Sequence, residues 1–311
     1  MERRGTPAEV EQHLTSCVSL HSLSAGEEPS ALQRTSLLTR ATAPSGNPAA
    51  QPKSLLVFAH PDDEAIALGA RLSRFRDALF VHVTDGAPRN GQDSRDHGFA
   101  RLEDYRRARR EEFRKALACA GIGDAAQECL DIPDQEASLH LAEIAMRICR
   151  MLEQFEPEVV FTHPYEGGHP DHDACAFAVH QAVAVHAQRG HQAPEILEAA
   201  FYHAGPDGLV TGTFLRRPER MLEIASPLSA AERERKQAVL DCFATQRPTL
   251  SLFRLDTERF RVAPAYDFRR PPHTVPVHYD RQPWGMTSER FCELAREAQE
   301  ILLQEASASC H

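Results

Sequence analysis

The 311 residues carry 35 Lys plus Arg against 45 Asp plus Glu, a formal net charge of −10, with 42% apolar and 26% charged residues. That is the composition of a globular chain, and a field of that sign repels a polyanion, which sets nucleic acid aside as a partner. No apolar run approaches the roughly 18 residues of a membrane span, and eight Cys without a Cys-x-x-Cys fit reduced thiols better than a disulfide framework or a thiolate zinc site.

Residues 1–52 are rich in Ser, Thr, Ala, Pro and Glu without a sustained period, and are expected to form a disordered extension. They show charges but no apolar signal core, so the cytoplasm is the expected location. From Lys53 onward, short apolar runs alternate with amphipathic segments. That alternation is the signature of a Rossmann-like α/β fold, a mainly parallel sheet with helices on both faces. Residues 53–311 are read as a single domain, with a core over 53–205 and less regular C-terminal elements over 206–311.

In chain order, Leu55 to Phe58 is a buried strand and Glu64 to Arg76 a helix; Ala78 to Thr84 is the next strand, closed by the turn cluster Asp85-Gly86-Ala87-Pro88. A polar loop spans Arg89 to Gly98. Helices are expected over Leu102 to Ala120, Leu139 to Phe155 and Asp173 to His186, and strands over Cys129 to Ile132 and Val159 to Thr162. Further on the periodicity predicts strands at Leu197 to His203 and Arg220 to Ile224, and helices at Ala230 to Phe243 and Ser288 to Leu303. Between these lies a proline-rich loop from Tyr266 to Asp280, placed to wall a pocket.

One pattern occurs twice. His60-Pro61-Asp62-Asp63 follows the first strand, and His169-Pro170-Asp171-His172 follows the strand at Val159. If each Pro is the first helical residue, each leading His sits at the cap and Asp63 or His172 at the third position. Two strand ends in an open sheet then present His60, Asp63 and His172 to one metal ion, at the edge where such sheets bind ligands. Two imidazoles and a carboxylate leave coordination positions open, the mark of a catalytic zinc. Asp62 stands beside a ligand without being one, and His169, with Asp171 next to it, is placed to stabilise an oxyanion or protonate a leaving amine. No Gly-x-Gly-x-x-Gly follows the first strand, which argues against a dinucleotide site.

Ala59-His-Pro-Asp-Asp-Glu64 together with Gly168-His-Pro-Asp-His172 resembles the LmbE-like / PIG-L family of zinc-dependent N-acetylglucosaminyl de-N-acetylases, over roughly residues 53–190. The resemblance implies zinc held by His60, Asp63 and His172, with iron or cobalt as possible replacements. It implies Asp62 as general base for zinc-bound water, His169 on the oxyanion side with Asp171 behind it, and a small amino-sugar conjugate as substrate. Arg109 and Glu112 match the family's Arg-x-x-Glu, and Asp134 aligns with a sugar-contacting acid. Arg109 either holds substrate or pairs with Glu112. Some members carry a Tyr two residues before the first His of the second motif; here that position is Gly167, and Tyr165 is the stand-in candidate. Two rivals use the same residues: a non-haem iron(II) oxygenase, whose facial triad is also two His and a carboxylate, and a non-catalytic sugar- or metal-binding module. His163 either faces the site or is a core or loop residue; Trp284, His273 and His278 are candidates to line a sugar pocket, although surface-loop residues of these types more often serve packing.

Overall fold

The computed structural model describes residues 30–47, 49–217, 221–273 and 276–308. Helices and strands run α1 (Ala31–Ala41), β1 (Ser54–Phe58), α2 (Asp63–Leu68), β2 (Leu79–Thr84), α3 (Gln92–Asp96), α4 (Leu102–Cys119), β3 (Ala126–Ile132), α5 (Leu141–Phe155), β4 (Val159–Thr162) and α6 (Pro170–Gln188). They continue as β5 (Glu195–Ala199), β6 (Tyr202–Gly205), β7 (Gly208–Thr211), β8 (Glu223–Pro227), α7 (Ala230–Leu240), α8 (Arg247–Leu250), β9 (Thr257–Val262) and α9 (Ser288–Ala308). Strand order in the main sheet is β3-β2-β1-β4-β5-β9-β8. The first five of these pair in parallel and β9 and β8 antiparallel.

Every residue of β1 is buried, because its alternate side chains face two different cores. Leu55 and Val57 join the side chains of α5, α6 and α9 on one face, while Leu56 and Phe58 join those of α2, α4 and α7 on the other. The expected parallel sheet with helices on both faces is therefore the fold. Since β1 leads outward to β2 and β3 while β4 leads to β5, the chain reverses its strand order between β1 and β4. In sheets of this kind ligands bind beyond the carboxyl ends of the strands at such a point.

Several expectations are corrected. The segment read as disordered over 1–52 holds α1, capped by a Ser30–Gln33 box and anchored by fully buried Leu38 and Ala41; residues 1–29 lie outside the described ones. The helix expected from Glu64 to Arg76 ends at Leu68 and resumes only as a short 3-10 turn at Leu72–Arg74. The reason is a buried charge cluster that apolar periodicity cannot report. Glu258 of β9 accepts from the Ala70 N–H at 3.0 Å, from Lys236 Nζ at 2.9 Å and from Arg71, which pulls the chain off the helical path. The polar loop after β2 contains the short α3, and β9 fills a stretch left unassigned. The end of the expected strand at Arg220 lies outside the described residues.

A second buried cluster joins the sheet to the loops above it. Glu198 on β5 and Arg261 on β9 are cross-strand partners, and Arg261 Nε donates to Glu198 at 2.7 Å. The same guanidinium donates to Glu166 at 3.0 Å, and the Tyr266 hydroxyl donates to Glu198 at 2.7 Å. Burial pushes the Glu198 carboxyl up to about 7, although Arg261 draws it down. An acid whose folded value exceeds its unfolded one contributes stability that is complete below the unfolded value and is lost as pH rises through the folded one. Glu198→Gln should accordingly flatten the decline in melting temperature between pH 5 and 8, most visibly at the alkaline end. Parallel melting curves for variant and wild type across that range would contradict the assignment.

Candidate metal centre and active-site cleft

The two repeated motifs converge at the switch point. In the second, His169 caps α6, Pro170 is its first residue and His172 its third, as expected. In the first, the helix begins later, at Asp63, with Asp62 as the cap residue. Here Asp63 itself reaches back: its Oδ2 accepts the His60 N–H at 2.7 Å, tightening the turn without a helical residue at Pro61. Asp62 makes no capping bond with its side chain, so a buried carboxylate is left free to face the cleft.

His60, Asp63 and His172 offer ligand atoms within 4.8 Å of one another. The His60 Nδ1 to Asp63 Oδ2 and His172 Nε2 to Asp63 Oδ1 separations are both 3.4 Å. A tetrahedral zinc with bonds of about 2.0–2.1 Å has ligand–ligand edges of about 3.3 Å, close to both separations from Asp63, and the trio could hold a metal ion. The other nitrogen of His60, Nε2, lies 3.1 Å from Asp134 Oδ1 and 3.4 Å from Asp171 Oδ2, the carboxylate brace that orients a metal-binding imidazole. Asp134→Asn should therefore weaken metal affinity by about 10–100-fold. Competition with a chromophoric chelator measures it, and an unchanged affinity would contradict the brace.

The electrostatics follow from burial among opposite charges. Burial draws His60 down, but Asp134, Asp171 and Asp63 outweigh it and hold the imidazole well above its ordinary value. Burial would raise Asp63, yet His172 and His163 hold it well below the usual carboxylate range. Asp62 differs: burial lifts it to about 6 even with Arg109 beside it, Nη1 to Oδ2 3.6 Å. Burial and the neighbouring His60 hold His169 well below its ordinary value, hence neutral. Its Nδ1 accepts the Asp171 N–H at 3.2 Å, so the ring proton belongs on Nε2. His169 is thus a neutral N–H donor.

Asp171 meets His169 chiefly through its backbone N–H, while its carboxylate is engaged elsewhere. Its carboxylate accepts the N–H groups of Gln135 at 2.6 Å and Ala137 at 3.0 Å and lies closer to His60 than to His169, whose Nδ1 is 4.0 Å away. The pairing fixes the turn that carries Asp134, in which Gln135 adopts a left-handed φ of 71°. Asp134 points inward to His60. Glu112 is taken by the Thr245 N–H at 2.9 Å and hydroxyl at 2.6 Å, which leaves Arg109 to the cleft. Two of the Arg109 nitrogens, Nε and Nη1, are buried without a hydrogen-bond partner. Its guanidinium lies across Gly86, where a Cβ would stand 2.8 Å from Nε, so the Asp-Gly turn after β2 is also a cradle for this arginine.

Tyr165 does not reach the cleft. Its hydroxyl donates to the Arg270 carbonyl at 2.9 Å and its ring packs on Tyr266 and Phe268. His163 does reach it: the ring stacks on His172 at 3.8 Å, and Nε2 sits 3.0 Å from the Ala59 nitrogen and 3.2 Å from Asp63 Oδ2. Tyr202 and Trp284, from the C-terminal half, add their rings against His172 and His169. Nothing in their local sequence sets them apart from packing residues. Among the described residues, Cys149, Glu153 and His186 also cluster with metal-ligand spacing. There Arg189 Nη1, 2.6 Å from Glu153 and 3.7 Å from Cys149 Sγ, already supplies the cation.

The chain thus places a two-imidazole, one-carboxylate cluster at the switch point of a doubly wound α/β sheet. Residues 55–183 match the PIG-L family model, described as GlcNAc-PI de-N-acetylase. A probable N-acetyl-α-D-glucosaminyl L-malate deacetylase 2 of Bacillus cereus is 34% identical over 134 residues, 42% of this chain and 60% of that protein. Its namesake from Bacillus subtilis is 29% identical over 42% of this chain and 59% of that protein. The chain thus spans about 60% of the length of the curated relatives it matches. A deacetylase of teicoplanin biosynthesis shares the fold with a TM-score of 0.52 at 18% identity, covering 67% of this chain and 96% of that one. A zinc-inhibited form of teicoplanin deacetylase does so at 0.51 and 17% identity, over 69% of this chain and 100% of that one.

Proposed function

We propose that the protein hydrolyses the acetamide of an N-acetylglucosamine-type amino-sugar conjugate, releasing acetate and a free amine, with zinc held by His60, Asp63 and His172. One observation carries the reading. A metal-sized trio lies at the switch point beside a second buried carboxylate, Asp62, which neither caps its helix nor belongs to the trio. The names of the curated relatives, which describe removal of an acetyl group from a glucosaminyl conjugate, supply the substrate class.

The metal, when bound, polarises the acetamide carbonyl and makes water acidic enough to act near neutral pH; iron or cobalt could occupy the same donors. Asp62, lifted to about 6 by burial, is a stronger base than an exposed carboxylate and takes the proton of the attacking water. His169 presents its Nε2–H to the carbonyl oxygen as negative charge grows there. A neutral donor serves this role without moving a proton. Arg109 offers its unpartnered nitrogens to the sugar hydroxyls, and Asp134 and Asp171 hold His60 in register. Of the rivals, a bare facial triad or a binding module leaves Asp62 and the His169 donor without a task.

The test is acetate release from N-acetylglucosamine conjugates by zinc-restored protein. Loss of release in His60→Ala and Asp62→Ala supports the reading, and rates equal to wild type overturn it.

A further inference from the structure

We infer that Trp284 is the platform on which the substrate's pyranose ring rests, so that the site selects acetamides borne on a sugar ring over acyclic ones. The inference rests on the deacetylase reading above and names what that site discriminates.

Trp284 is the chain's single tryptophan and arrives from a segment more than a hundred residues beyond the metal-site motifs. Its place is built, not incidental. The His278 N–H donates to the Gly167 carbonyl at 2.9 Å, tying the segment to the loop that leads into His169. Gly167 has a φ of +70°, and a Cβ there would stand 2.5 Å from Val277, so only glycine lets the two chains cross this closely. Asp280 pins the same segment to the start of α9, accepting the N–H groups of Val277 at 2.9 Å and Ser288 at 2.6 Å and the Ser288 hydroxyl at 3.0 Å.

The result is an aromatic wall. The Trp284 ring lies 4.5 Å from that of His169 and 5.9 Å from that of His278; Tyr202 lies 6.0 Å from His278 and 5.3 Å from His172. The indole is only partly buried, between exposed Pro283 and Gly285, and so keeps apolar surface next to the His169 ring. A pyranose in its chair form turns axial C–H bonds to one face and hydroxyls to its edge. That face suits an indole, while the hydroxyls suit groups such as Arg109. An acyclic acetamide has no such face. The trio, Asp62 and His169 act on the acetamide itself, which every such substrate shares. Discrimination among acetamides has to come from groups that touch the remainder.

The alternative, that Trp284 only holds the His169 ring in place, predicts a fall in kcat for every substrate alike. Zinc-loaded wild type, Trp284→Ala and Trp284→Phe should be assayed with the methyl glycoside of N-acetylglucosamine and with N-acetylethanolamine, and wild-type fluorescence titrated with the glycoside. We expect Trp284→Ala to raise KM for the glycoside about tenfold with kcat little changed, to leave the acyclic substrate unaffected, and to be largely rescued by Phe. The indole emission should change saturably with the glycoside. An equal effect on both substrates, an effect confined to kcat, or no effect overturns the platform while leaving the deacetylase reading intact. If wild type cleaves neither acetamide, that reading falls, and the titration still decides the platform: saturable change keeps it, and no change removes it.

Discussion

Asp62→Asn is expected to lower kcat by between about 10²- and 10⁴-fold while leaving the bound metal in place. The carboxylate is buried, stands outside the trio that fits a cation, and makes no helix-capping bond that the substitution would break. Asn keeps the shape and can accept a hydrogen bond, but it cannot take a proton. Among the described residues its ion-pair partner is Arg109, 3.6 Å away and beyond hydrogen-bond reach, so the fold loses little. Metal content by elemental analysis and acetate release under saturating substrate separate the two effects. Loss of the metal together with activity would move Asp62 among the ligands, and retained turnover would remove it from the chemistry.

The two His-Pro-Asp motifs are legible as strand-to-helix junctions because each is local. Pro170 marks the start of α6, whereas α2 starts two residues after Pro61; an apolar run fixes the strand before each, and the parallel pairing of β1 with β4 follows from the βα alternation. His60, Asp63 and His172 therefore needed only the right strand order to meet. What could not be read locally is whatever depends on contacts between distant segments. The Asp171 carboxylate braces His60 and the Asp134 turn, because the 135–137 backbone arrives after β3, three places along the sheet from β4. The α2 helix stops short because Glu258, nearly two hundred residues later, takes the Ala70 N–H. His163 is fully buried and stacked on His172, a contact that its local sequence does not reveal. Tyr165 pointed the wrong way because the aromatic cluster of Tyr266, Phe268 and Phe291 offers its ring more apolar contact than the cleft does.

Removal of Asp63 should have the larger consequence, because that one side chain serves every partner in the centre. Its Oδ2 accepts the His60 N–H at 2.7 Å and lies 3.4 Å from His60 Nδ1 and 3.2 Å from His163, while Oδ1 lies 3.4 Å from His172. It is the anion held well below the usual carboxylate range, so it stays charged through neutral pH and supplies the trio's only negative ligand. Asp63→Ala is expected to bring metal content to background and turnover with it. Ligand binding raises stability by RT ln(1 + [L]/Kd), about 4 kcal/mol when zinc stands a thousandfold above Kd, so wild type should melt higher with added zinc and the variant should not. The variant should also melt lower than metal-free wild type at pH 7, since a carboxylate with a depressed folded value contributes stability above its unfolded value and loses it as pH falls through the folded one. That gap should close on acidification. A variant that still binds one metal per chain with an unchanged zinc-dependent melting shift would place the centre elsewhere, and the cluster of His60, Asp134, His169 and Asp171 would be the next arrangement to probe.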